Sequence, residues 1–178
     1  VGAFVVDQKC GVDSDDVALL FKMYSGVRKQ LGQGGIERMR YTLKAMAFLY
    51  MRLALRIKKI EQAGGETGGV ASSKPFQYIR SGDGKGIVEL LAQEVPLQAF
   101  HIYIACANAA DTCELPDVSY DIYAEAFQIY EENAADTKEQ ILLLNTMIAS
   151  LCAVRSMTED SYEVLATKVC QYSSKLLK

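Results

Sequence analysis

Tryptophan is absent from these 178 residues, histidine occurs once, at His101, and proline only three times. One histidine leaves no His-based metal set, and no Ser/Cys–Asp pattern lies near it to make a catalytic base. The five cysteines, Cys10, Cys106, Cys113, Cys152 and Cys170, form no Cys-x-x-Cys pair. A zinc site is therefore not expected, and no metal or cofactor is assigned. Most of these thiols fall inside helical patterns, which suits buried cysteines in a reducing compartment. Long hydrophobic runs are missing too. No window approaches the ~20 apolar residues that span a bilayer, and the longest candidate, 43–57, carries Lys44, Arg52 and Arg56. Residues 1–6 are apolar but short and lack the basic preface of a signal peptide. An excess of positive charge is also lacking. The formal net charge is −3, basic and aromatic residues do not interleave, and nucleic acid is set aside as a partner. The chain has no initiator methionine and stops within a helical pattern, so both ends read as cut and a fragment of a longer protein is expected.

What is present is helix, and one stretch organises it. Residues 34–62 contain no proline or glycine after Gly35 and are rich in Ala, Leu, Met, Arg and Lys. At 3.6 residues per turn Met39, Leu43, Met46, Tyr50, Leu53 and Ile57 share one side, a wide apolar stripe for packing on other helices. The opposite side carries Glu37, Lys44, Arg52 and Lys59, with Tyr41, Phe48 and Leu55 mixed among the charges. Large apolar groups on a charged face imply a partner on each side of the helix.

Around that stretch the chain reads as about seven antiparallel helices without a convincing strand. Residues 1–14 are a disordered or extended tail, and Asp13–Asp16 supply N-cap oxygens. The first helix, about 15–31, lines up Val17, Leu20, Phe21, Tyr24, Val27 and Leu31, and Gly32-Gln33-Gly34-Gly35 ends it. Residues 63–74 form a flexible glycine-rich loop. A third helix opens at Lys74-Pro75, is interrupted at 81–86, and resumes over 87–93. Neither glycine-rich segment carries the Gly-Lys-Ser/Thr of a phosphate cradle. The fourth helix runs from Pro96 to about Ala110, with Phe100, Tyr103, Cys106 and Ala107 inward. The fifth, about 117–133, buries Ile122, Ala126, Phe127 and Tyr130, and its Glu131-Glu132 pair reads as a solvated helix end. The sixth starts at Asp136 with Glu139 in capping-box position and buries Leu144, Met147, Ile148 and Leu151. The seventh opens at Thr158, with Tyr162, Leu165, Ala166, Val169, Tyr172 and Leu176 on its apolar line. Consecutive up-down pairs of this length fit an all-α, HEAT-like α-solenoid over 15–178, with a closed bundle as the alternative.

Several segments in order resemble one family. They are Leu31-Gly32-Gln33-Gly34-Gly35 followed by Arg38-Met39-Arg40-Tyr41-Thr42-Leu43, then Leu53-Ala54-Leu55-Arg56, then Glu94-Val95-Pro96-Leu97-Gln98-Ala99-Phe100. Ala126-Phe127-Gln128-Ile129-Tyr130-Glu131, Asp136-Thr137-Lys138-Glu139-Gln140 and Ser173-Ser174-Lys175-Leu176-Leu177-Lys178 complete the set. Together they are similar to the C-terminal half of the vacuolar protein sorting-associated protein 35 family, the scaffold subunit of the retromer coat. The chain departs from that pattern at Lys44-Ala45, where the family commonly has two prolines, and at 81–86, which the family keeps helical. The resemblance implies a non-catalytic, cytoplasmic scaffold, peripheral on endosomal membranes, serving endosome-to-Golgi and recycling transport of membrane cargo. It implies that this half holds the small metallophosphoesterase-fold subunit, vacuolar protein sorting-associated protein 29, and that other retromer subunits bind elsewhere.

In an array of this kind alternate helices line the concave side. The second, fourth and sixth helices then present three rows: Tyr41/Lys44/Phe48/Arg52, Gln98/His101/Ala105/Asn108 and Lys138/Leu142/Asn145/Ala149. Of these, Tyr41, Lys44, Phe48, Arg52, Gln98, His101, Asn108, Leu142 and Asn145 are the candidate partner-binding residues. The plainer reading of Tyr41 and Phe48 is packing against an adjacent repeat. Two other functional classes compete with this one: a helical interaction adaptor outside the retromer, and a small all-α enzyme using Asp83, Lys85 and His101.

Overall fold

A computed structural model describes residues 16–31, 36–80 and 86–176, the side chains of 36–40 excepted. Among the described residues regular structure is helical throughout. Eight helices run in order: α1 (Val17–Leu31), α2 (Ile36–Gln62), α3 (Lys74–Ile79), α4 (Ile87–Glu94), α5 (Pro96–Thr112), α6 (Pro116–Asn133), α7 (Thr137–Leu151) and α8 (Glu159–Leu176). Over the span expected of the third helix the described residues form two, α3 and α4. All three prolines sit in the first turn of a helix, in α3, α5 and α6, where the missing N–H has no helical acceptor to lose. The chain divides into two compact units between Glu94 and Val95.

In the first unit, α1, α3 and α4 all pack on α2. The α2 stripe is buried as its spacing predicts: Leu43, Met46, Tyr50, Leu53 and Ile57, joined by Ala47, Met51 and Ala54. Tyr50 is the hub. Its ring stacks on Tyr78 at 5.6 Å and meets Phe21 and Tyr24 edge-on at 6.1 and 5.9 Å. Burial raises the Tyr50 hydroxyl's pKa. On α1 the expected line is buried only from Val17 to Tyr24; Val27 is exposed and Leu31 half-buried. Asp16 caps α1, its carboxylate accepting the Leu19 N–H at 2.8 Å. Gly86 caps α4: its carbonyl accepts the Leu90 N–H at 3.0 Å. Glu89 reaches back to the Gly86 N–H, also at 3.0 Å, as a capping box does.

The glycine-rich loop is a series of turns tied to its surroundings. Glu61 accepts the Ser72 N–H at 3.0 Å, and Val70 and Ser72 are buried. Gly68 has φ +59°, and a Cβ there would lie 2.7 Å from Ala18 Cβ on α1. Gly69 has φ +77° with open space around it. Gly68→Ala therefore meets both backbone strain and a clash, and Gly69→Ala strain alone. Chemical denaturation is expected to show a loss of about 1 kcal/mol for Gly69→Ala and about 2–3 kcal/mol for Gly68→Ala.

In the second unit α5 and α6 form a hairpin packed along its length. The turn is closed by the Leu115 N–H on the Ala110 carbonyl at 3.1 Å, with Glu114 at φ 58°, a Schellman cap with glutamate where glycine is usual. Phe100, Tyr103, Cys106 and Ala107 of α5 and Ile122, Ala126, Phe127 and Tyr130 of α6 are buried, as the spacing predicts. Two expectations shift on α7 and α8. Leu143 and Ser150 are buried in place of Ile148, and Tyr162 is exposed. Asp136 stands at the N-cap of α7 with extended backbone but makes no side-chain cap bond. The Gln140 amide instead donates to the Ala134 carbonyl at 2.8 Å.

Burial also divides the cysteines. Cys106 and Cys113 are buried, and burial drives the Cys106 thiol's pKa well up, whereas Cys152 and Cys170 are exposed, against the expectation of buried thiols. A thiol reagent on the native chain is expected to modify Cys152 and Cys170 and spare Cys106 and Cys113 until denaturant is added, as peptide mass mapping would show.

Candidate protein-binding surface

The row on α2 has the exposure a contact surface needs. Tyr41 is 72% exposed and Phe48 43%, and Lys44 and Arg52 are exposed beside them. At 1.5 Å rise per residue the row runs about 16 Å along the helix. It stands opposite the fully buried Tyr50, Ala54 and Ile57, so α2 is packed on one side and carries aromatic and cationic groups on the other. Leu55, expected among them, is half-buried.

The other candidates lie in the second unit. On α5, Gln98 and His101 are exposed, and the His101 ring stands edge-on to Phe100 at 5.3 Å. Asn108 has a different use. Its Oδ1 accepts from the Tyr123 hydroxyl at 3.0 Å and from Ser150 Oγ at 2.8 Å, and those two hydroxyls are 2.5 Å apart. This triad joins α5, α6 and α7. Burial pushes the Tyr123 hydroxyl's pKa up to about 12, the hydrogen bond with Ser150 opposing that rise. On α7, Lys138, Leu142, Asn145 and Ala149 are exposed. Ile141 is exposed beside them, and so is Ile148, which the helical spacing places in the core. The run Ile141-Leu142-Leu143-Leu144 carried that signal, since four consecutive aliphatics cannot all face one side of a helix.

Two carboxylates hold the helices together, Asp111 and Glu131, the second of them expected only as part of a solvated helix end. Asp111, 8% exposed, accepts the Arg155 N–H on Oδ2 at 3.0 Å. Its Oδ1 takes the Ser156 N–H at 2.8 Å and the Ser156 hydroxyl at 2.7 Å. Glu131 on α6 accepts from the Tyr172 hydroxyl and from Lys168 Nζ at 3.0 Å, both on α8. The Tyr172 bond and then the Lys168 bond hold the Glu131 carboxyl below its ordinary pKa. Burial and the same carboxylate raise Tyr172.

Among the described residues no group of three or more His, Cys, Asp or Glu could hold a metal, and no helix is long and apolar enough to cross a membrane. Asp83 and Lys85 lie outside the described residues, and so do Cys10, the tail 1–14 and the Gly32–Gly35 turn.

These features define a class: an all-α chain of packed helical hairpins whose exposed helix faces carry aromatic, aliphatic and cationic rows. The family model of vacuolar protein sorting-associated protein 35 matches residues 8–178, and the chain belongs to that family. It is 29% identical over 170 residues to vacuolar protein sorting-associated protein 35B of Arabidopsis thaliana, covering 94% of this chain and 21% of that protein. Against protein 35C of the same plant the identity is 30% over 172 residues, covering 92% and 20%. Against vacuolar protein sorting-associated protein 35 of Dictyostelium discoideum it is 29% over 170 residues, covering 93% and 21%. The chain thus spans about a fifth of the length of these curated relatives.

Proposed function

We propose that this chain is a non-catalytic scaffold segment in vacuolar protein sorting, acting within the retromer coat on endosomal membranes in endosome-to-Golgi and recycling transport of membrane cargo. Its direct partner in this reading is the small metallophosphoesterase-fold subunit, vacuolar protein sorting-associated protein 29. The remaining coat subunits engage other parts of the longer protein. The observation that carries the reading is the α2 row, where exposed Tyr41 and Phe48 alternate with Lys44 and Arg52 on a helix already packed on its other side. Aromatic and arginine side chains supply most of the energy of protein contacts once a partner desolvates them. Within the second unit, Gln98 and His101 on α5 and Leu142 and Asn145 on α7 are exposed and are proposed as binding residues of that unit in their own right. Asn108 supports them from within, through the triad that fixes α5 against α7.

Capture of the purified small subunit on the immobilised chain tests the proposal. Saturable, stoichiometric retention is expected, and its failure with a folded chain contradicts it.

A further inference from the structure

The connection between α7 and α8 is fastened by one hydroxyl and two backbone N–H groups, all donated to a single buried carboxylate. Ser156 Oγ lies 2.7 Å from Asp111 Oδ1, and the Ser156 and Arg155 N–H groups take up the rest of the Asp111 carboxylate at 2.8 and 3.0 Å. Asp111 is 8% exposed. Ser156 itself is half-buried, but Cys152, Ala153, Arg155, Thr158, Glu159 and Asp160 around it are exposed. The sequence adds a second observation. Among all serines and threonines of the chain, Ser156 alone has a carboxylate three residues later, Glu159, with Asp160 following. That spacing is what a protein kinase with a basic substrate groove reads.

We propose that Ser156 is a phosphorylation site for an acidic-directed protein kinase, and that its phosphate opens the α7–α8 connection. The kinase transfers the γ-phosphoryl group of ATP. The Ser156 Oγ–P bond forms, the bond from phosphorus to the β-bridging oxygen breaks, ADP leaves, and the hydroxyl proton passes to the kinase's base. The product replaces a hydrogen-bond donor with a group of about −1.5 to −2 charge at neutral pH. It does so beside a carboxylate already screened from water, so the two repel and the hydroxyl bond is lost. The backbone bonds of Ser156 and Arg155 open with it, because both end on the same carboxylate. Helix α8, which begins three residues on at Glu159, loses its anchored start. This inference is independent of which partner the surface binds.

The test treats the chain with an acidic-directed Ser/Thr kinase and ATP, locates phosphate by mass spectrometry and follows amide exchange. One phosphate at Ser156 is expected, and none in Ser156→Ala. Exchange at Arg155, Ser156 and the first turn of α8 should then accelerate about tenfold or more, while the middle of α5 is unchanged. In Asp111→Asn, which keeps an acceptor and removes the charge, phosphorylation should accelerate exchange less than about threefold. If that variant does not fold, phosphorylated wild type must exchange faster than Ser156→Ala, which loses the same hydrogen bond without gaining charge. The proposal is overturned by an unmodified Ser156 in a chain whose isolated 150–164 peptide is modified. Unchanged exchange after modification overturns it too, as does equal acceleration without the Asp111 charge.

Discussion

Tyr50→Ala is expected to cost about 3–5 kcal/mol, the range for truncating a fully buried aromatic side chain. Tyr50 has no exposed surface and contacts three other rings at once, Phe21, Tyr24 and Tyr78. A cavity there is lined from three helices, α1, α2 and α3, and no single side chain can move to fill it. Set against a typical domain stability of about 5–15 kcal/mol, the loss should lower the melting temperature of this unit by about 10 °C or more. Tyr50→Phe keeps the rings together. It gives up only a 3.5 Å contact between the hydroxyl and Ser25 Oγ, so its cost should stay below about 1 kcal/mol. Denaturation followed by circular dichroism separates the two. A Tyr50→Ala loss no larger than that of Tyr50→Phe would remove the hub from the account.

Phe48→Asp, two residues away on the same helix, is expected to do the opposite. The ring is 43% exposed, so a partner covering it gains about 1 kcal/mol from apolar area. Area alone would make Phe48→Ala a severalfold effect. Aspartate adds a second penalty, because a carboxylate pressed into the contact must be desolvated without a designed partner. Together these should raise Kd for the small subunit at least about 100-fold. The melting temperature should change little, since the exposed face contributes little to the core. A large fall in stability would instead make Phe48 a packing residue.

The contrast between these two positions follows from what a sequence encodes locally. The α2 stripe and its opposite row were legible because one helix face is a matter of spacing along one segment, and propensity over 36–62 leaves no other element. The α7 phase was harder. Ile141 to Leu144 fit two registers one residue apart, and the sequence favoured the one that buries Ile148. The structure takes the one that turns Ser150 inward, where its hydroxyl meets Tyr123 and Asn108. Neither partner is near in sequence, so no window of residues carries that preference. Asp111 was invisible for the same reason: its partners lie 44 and 45 residues on, and two of them are backbone N–H groups that any residue would supply. The glycine-rich loop looked unconstrained in composition, yet Gly68 is required by a contact with Ala18, 50 positions earlier in the chain.

The most direct test of the scaffold reading is calorimetric titration of the small metallophosphoesterase-fold subunit into the wild-type chain and into Phe48→Asp, with thermal melts of both. Saturable binding by the wild type is expected, weakened at least about 100-fold in a variant that melts at the same temperature. A folded wild-type chain that takes up no subunit, or a Phe48→Asp chain that binds as tightly as wild type, would contradict the account.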